Sequence, residues 1–92
     1  MIQTFRHRGL KRLYERGDRS KVPSTLRDRI EDAMALLDVA SSPQDLDLPG
    51  FRLHPLKGTL KGFHSITLSG NWRLVFRLVD GHANDVDLLD YH

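Results

Sequence analysis

Cysteine is absent from the 92-residue chain, which excludes disulfides, thiolate metal sites and a cysteine nucleophile. That leaves the compartment open and compatible with the cytosol, so a cytoplasmic location is expected. No apolar run approaches the roughly 18 residues needed to span a bilayer, and the opening Met1-Ile2-Gln3-Thr4-Phe5-Arg6 lacks the apolar stretch of a signal peptide. A soluble, unprocessed chain with no membrane partner is the expectation. The five histidines show neither the helical i, i+4 spacing nor the paired short spacings of a zinc site. Asp85, Asp87 and Asp90 lack the glycine and glutamate of a calcium loop. No metal and no cofactor are therefore expected. Glycines stand singly in turns, with no strand-to-helix phosphate loop and no serine nucleophile motif.

What is present fits one small domain over residues 1–92. About two-fifths of the side chains are apolar (39%), enough for one core and too little chain for two. The formal net charge is only +2, but nine of the fourteen Lys and Arg fall between Arg6 and Arg29, against Glu15, Asp18 and Asp28. After Arg77 come Asp80, Asp85, Asp87 and Asp90 and no further base. A basic half suits a polyanion partner. The alternative is that these bases solvate a helical surface and pair with the aspartates across the fold.

Periodicity predicts a short strand over 1–5, then a helix over 9–16 with Leu10, Leu13 and Tyr14 on one face and Gly17 as its stop. A second helix is expected over 23–40, with Leu26, Ile30, Ala33 and Leu37 as its buried stripe and Thr25 with Asp28 as a capping box. From Phe51 the period shifts towards 2. Strands are expected over 51–56, 63–68, 72–79 and 83–89, joined by turns at Gly58, Gly62, Gly70 and Gly81. The result is α+β, a helical hairpin on an antiparallel meander with one sheet face covered. In the third strand Trp72, Leu74, Phe76 and Leu78 should face the helices, leaving Arg73, Val75, Arg77 and Val79 on the other side. Arg52 and His54 share a face of the first strand, with Lys57 in the turn beyond.

Three short runs carry the candidate chemistry: Leu53-His54-Pro55-Leu56-Lys57-Gly58, then Asn71-Trp72-Arg73, then the closing Asp90-Tyr91-His92. Each residue also has an ordinary reading. Arg73 could brace a carboxylate such as Asp87, Lys57 is a solvated turn lysine, and His54 is a half-buried strand histidine. His64 and His82 are read as structural or solvent-exposed, and His7 as a helix-entry residue. The remaining His, Lys, Arg and Tyr set suits metal-free cleavage of RNA, in which the ribose 2′-OH attacks the adjacent phosphate. Imidazoles can move the protons at either end, and cations can stabilise the crowded phosphorane.

Together with Gly62-Phe63-His64-Ser65-Ile66 and Trp72-Arg73-Leu74-Val75-Phe76, these runs resemble the HigB group of bacterial type II toxins within the RelE-like superfamily. The likeness spans the chain and implies a compact RelE-like fold, an N-terminal strand and helical hairpin packed on an antiparallel β-sheet. It further implies a ribosome-dependent mRNA endoribonuclease acting in the A site, neutralised by a HigA-type helix-turn-helix antitoxin that alone contacts operator DNA. Carried over by matching motif, His92 is the leading acid or base and Arg73 and Lys57 stabilise phosphate, while His54 and Tyr91 position substrate or assist proton transfer. Arg52, Arg77 and Lys61 are the expected RNA-binding residues, and the basic helices are expected to contact ribosomal RNA.

Two conditions attach. An unbroken last strand would put Tyr91 and His92 on opposite faces, so the strand must end or bend near Asp90. The rival reading is a non-catalytic RNA- or protein-binding module acting mainly through antitoxin binding and promoter autoregulation. Phe63 is the only aromatic between the loops expected to reach an open face, which provides poorly for base stacking.

Overall fold

The computed structural model describes residues 1–91. Helix α1 (Arg8–Arg16) begins where His7 accepts the Leu10 N–H on Nδ1 at 3.1 Å, satisfying one of the amides a helix start leaves without a partner. It stops at Gly17, whose φ of 69° is left-handed, a conformation glycine adopts without steric cost. Gly9 has a different reason to be glycine. A β-carbon there would lie 2.4 Å from the Lys21 carbonyl oxygen, where the chain leading to the second helix crosses α1.

Helix α2 (Arg27–Val39) follows a 3₁₀ turn at Ser24–Leu26. The expected Thr25–Asp28 capping box does not form, because the turn runs directly into the helix and Leu26, already helical in backbone, occupies the cap. Leu10 and Leu13 of α1 and Ile30, Ala33, Met34 and Leu37 of α2 are buried. Beyond α2, a second 3₁₀ turn (Pro43–Leu46) is tied by the Asp45 carboxylate, which accepts the backbone N–H groups of Ser41 at 3.0 Å and Ser42 at 3.3 Å.

Four antiparallel strands lie side by side in chain order: β1 (His54–Pro55), β2 (His64–Ser69), β3 (Trp72–Val79) and β4 (His82–Asp90). The strand expected over 51–56 shrinks to two residues. Gly50 (φ 90°) and Arg52 (φ 49°) are left-handed, and the Phe51 N–H turns back to the Leu48 carbonyl at 3.1 Å, so the extended path starts only at His54. The N-terminal segment pairs parallel to β4, through Ile2 with Ala83 and Phe5 with Val86. These are isolated bridges because β4 bulges between its two contacts: Asp85 adopts φ 53° and donates its N–H to Thr4 Oγ1 at 2.8 Å.

One core lies between the helices and a single face of the sheet. Ile30, Leu37, Ile66, Leu74, Phe76 and Val86 are fully buried there, each contributing about 1.5 to 3 kcal/mol relative to exposure. Leu74 and Phe76 lie where alternation puts them, while Trp72 and Leu78, near the ends of β3, are only partly buried. The opposite face departs from expectation. Val75 and its cross-strand neighbour Ser65 are buried, so that face is closed along its middle and open towards the β2–β3 turn.

Candidate active site

At that open end, β1, β2, β3 and the residue after β4 surround a depression of about 400 Å³. Arg52, His54, Arg73 and Tyr91 contribute to its wall, and Ser65 and Thr67 of β2 are the neutral polar residues between them. Register accounts for the convergence. His54 lies opposite Ser65 across β1 and β2, and Thr67 lies opposite Arg73 across β2 and β3. Side chains two residues apart on one strand share a face, so these four form two adjacent rows.

Arg73 does not brace Asp87. Its Nη1 donates to the Gly70 carbonyl at 2.7 Å and to the Trp72 carbonyl at 3.1 Å, while Asp87 accepts the Leu88 N–H at 2.9 Å. The guanidinium carbon stands 5.9 Å from the centre of the Tyr91 ring, close enough for a cation–π contact. Both carbonyl contacts are made by one nitrogen of the fork, so the guanidinium is anchored to its own turn by one corner. Tyr91 is held in turn: β4 ends at Asp90, and the Tyr91 N–H donates to the Asn71 carbonyl at 2.8 Å.

Other sequence-derived positions fall elsewhere. Lys57 and Lys61 are exposed on the turn after β1, flanking the 3₁₀ residues Gly58–Leu60, and do not line the depression. Arg77 is exposed further along β3, where its Nε meets the Asp85 carboxylate at 2.6 Å. Arg6 reaches the same carboxylate at 4.0 Å and lies over the Phe63 ring, 5.0 Å from its centre. Phe63 is buried, at 7% exposure. His92 lies outside the described residues.

Among the described residues, neither His64 nor His82 finds a hydrogen-bond partner for its buried Nδ1, and neither lines the depression. His64 stacks near Phe76, with ring centres 6.1 Å apart, and burial holds its imidazole below the usual histidine range. Away from the depression, Tyr14 donates its hydroxyl to Asp38, and the Ile2 N–H reaches the same carboxylate at 3.3 Å. The Tyr14 hydrogen bond is the main cause that keeps the Asp38 carboxyl below the usual carboxylate range, and it raises the Tyr14 phenol in return. A second groove, along α1, is lined by Arg8, Lys11, Arg12 and Arg16 with Glu15 as its one acid.

Thr67, Ser65 and Arg6 were not singled out from sequence. The first two are ordinary strand hydroxyls until register sets them beside His54 and Arg73, and only the β4 bulge brings Arg6 over the sheet.

A small sheet carrying cationic, imidazole and phenol groups at one end, with two helices on its other face, is the architecture of a RelE-like toxin. The comparisons bear on the whole chain. Residues 3–92 match the family described as the RelE-like toxin of the type II toxin–antitoxin system HigB. Endoribonuclease HigB of Proteus vulgaris is 42% identical over 92 residues, 100% of each chain. Toxin HigB-1 of Vibrio cholerae is 35% identical over 85 residues, 90% of each. Among solved structures, a mutant of YafQ from E. coli superposes with a TM-score of 0.57 over 96% of this chain and 91% of its own, at 20% identity, a likeness of fold. The chain belongs to the HigB-like toxin family of type II toxin–antitoxin systems.

Proposed function

We propose that this toxin is a ribosome-dependent endoribonuclease that cleaves messenger RNA in the A site without a metal. The observation that carries this reading is the convergence of Arg52, His54, Arg73 and Tyr91 on one depression in a chain related over its full length to an endoribonuclease. In the proposed reaction a base takes the proton of the 2′-OH, the 2′-oxygen attacks phosphorus, and the 5′-oxygen leaves as it gains a proton. The products are a 2′,3′-cyclic phosphate and a 5′-hydroxyl. His92 serves as the leading acid or base and Arg73 neutralises the phosphorane, while Lys57, on the exposed turn after β1 and outside the depression, reaches in to share that charge once RNA is bound. His54 and Tyr91 orient the nucleotide or relay a proton, and Arg52, Arg77 and Lys61 hold flanking RNA.

An antitoxin partner follows from the family. Its HigA-type helix-turn-helix form, with operator DNA reached only through it, is part of the proposal, as is a cytoplasmic site of action at the ribosome. The basic groove of α1 suits ribosomal RNA, since phosphate neutralisation needs only a positive face. The non-catalytic alternative is less well supplied, because Phe63 lies beneath Arg6 and leaves the Tyr91 ring as the one Phe, Tyr or Trp lining the depression, too few for a stacking platform.

The test is purified chain with message, naked or on programmed ribosomes, beside Arg73→Ala. Cleavage by the native chain only on ribosomes, lost in the variant, supports the proposal. Intact message on ribosomes at stoichiometric toxin, or equal cleavage by both proteins, refutes it.

A further inference from the structure

Arg29 is not among the candidate residues of the depression, yet its guanidinium makes an unusual set of contacts. It projects from the first turn of α2, half-buried. Nε donates to the Leu68 carbonyl at 3.1 Å, and Nη2 donates to the Gly50 carbonyl at 2.9 Å and the Thr67 carbonyl at 3.0 Å. Its guanidinium carbon lies 5.0 Å from the centre of the Phe51 ring. One side chain thus grips the end of β2 and the loop entering β1 together.

Both gripped segments are irregular. The β2–β3 register slips between Thr67 and Ser69, and a bulge leaves a carbonyl out of regular pairing. In the loop, Gly50 and Arg52 are left-handed on either side of Phe51. A left-handed arginine persists only where its surroundings over-determine it. Here Phe51 is fixed on all sides: its N–H donates to Leu48, its carbonyl accepts the Thr67 N–H at 2.7 Å, and its ring lies under Arg29.

We infer that Arg29 is a positioning residue for the proposed cleavage, holding the residue 50–52 loop against β2 so that Arg52 faces the depression beside Thr67. The inference rests on the endoribonuclease reading. Its logic is that of a fork: three carbonyls on two segments are spanned by the planar guanidinium, whereas an ammonium is a single point that cannot span them. Arg52 and Thr67 both line the depression, so the distance between these segments sets its width. A misplacement of about 1 Å in such a site can cost about 10²-fold in rate.

The experiment uses the full chain as native protein, Arg29→Lys, Arg29→Ala, Arg52→Ala and the Arg29→Ala/Arg52→Ala double variant. Amide hydrogen exchange, which needs no RNA, is read first. Exchange at Phe51 and Thr67, whose amides donate to the Leu48 and Phe51 carbonyls, should rise at least about tenfold in both Arg29 variants while the α1 amides stay protected. Single-turnover cleavage of ribosome-bound message should then fall by about 10²-fold, in Arg29→Lys nearly as far as in Arg29→Ala. In the Arg52→Ala background the further loss from Arg29→Ala should shrink to about threefold or less, since groups acting as a unit are not additive.

Unchanged loop exchange, full rescue by lysine, or a full independent loss in the double variant overturns the inference. If the native chain cleaves nothing, the function reading fails, and the exchange data still decide whether Arg29 holds the loop.

Discussion

Replacing Arg73 with alanine separates catalysis from stability, because the two losses have different physical sources. The stabilising part consists of the hydrogen bonds from Nη1 to the Gly70 and Trp72 carbonyls and the contact with the Tyr91 ring. The Gly70 contact is exposed, so water can replace the guanidinium, and the two bonds together contribute about 1 kcal/mol. A cation–π pair at such a site adds about 0.5 to 1 kcal/mol. The total, about 1 to 2 kcal/mol, corresponds to a fall in melting temperature of roughly 5 to 15 °C for a chain this size. The catalytic part is larger. Removing one donor aimed at charge that develops in the transition state costs about 10²- to 10³-fold in rate, or roughly 3 to 4 kcal/mol. The assay is single-turnover cleavage on programmed ribosomes at 20 °C, with thermal melting of the same preparations. Arg73→Ala is expected to be folded at that temperature and slower by at least about 10²-fold. Trp72→Ala, which trims a partly buried core ring, should melt earlier than Arg73→Ala yet keep more activity. A rate for Arg73→Ala within threefold of native would refute the phosphate-stabilising role.

Tyr14→Phe removes the donor to Asp38 and should cost about 1 to 2 kcal/mol in urea melts. Because Asp38 titrates below its unfolded value of about 3.9, its stabilising contribution is present above that pH and lost as pH falls through the lower folded value. The native chain should therefore lose more stability than Tyr14→Phe between pH 4 and pH 2. Gly9→Ala puts a methyl 2.4 Å from the Lys21 carbonyl oxygen, and calorimetry should show a loss of at least about 1 to 3 kcal/mol. Cleavage should survive chelation of Zn²⁺ and Mn²⁺ with Mg²⁺ held high enough to keep ribosomes intact, and activity restored only by Zn²⁺ or Mn²⁺ would contradict metal-free chemistry.

Much of the fold was legible because its signals are periodic. Leu10 and Leu13, and Ile30, Ala33 and Leu37, repeat at helical spacing, and Leu74 and Phe76 alternate; all are buried. Gly17 and the Asp80-Gly81 pair stop and turn the chain with the positive φ that their types suggest. What escaped depends on pairing between distant segments. Nothing local in Arg52 announces a left-handed residue, so the first strand looked longer than it is. The parallel docking of Ile2 and Phe5 on β4 needs the bulge at Asp85, which is a property of two strands rather than of one.

The candidate site divides in the same way. His54, Arg73 and Tyr91 stand out as residue types near turns and ends, and their convergence on one depression required only that adjacent strands pair in order. Ser65, Thr67 and Arg29 carry no such mark. Register alone puts the hydroxyls in the depression, and two of the three carbonyls that Arg29 meets lie at the slip in β2.

In the proposed reaction the 2′-hydroxyl of ribosome-bound message is the nucleophile. A programmed ribosome whose A-site codon carries a 2′-O-methyl group at the cleaved nucleotide, compared with the unmodified codon and with product ends identified by mass, tests this. Cleavage of the unmodified message to a 2′,3′-cyclic phosphate and a 5′-hydroxyl, with none at the methylated position, is the predicted result. Cleavage at the methylated position, or products bearing a 5′-phosphate, would contradict it.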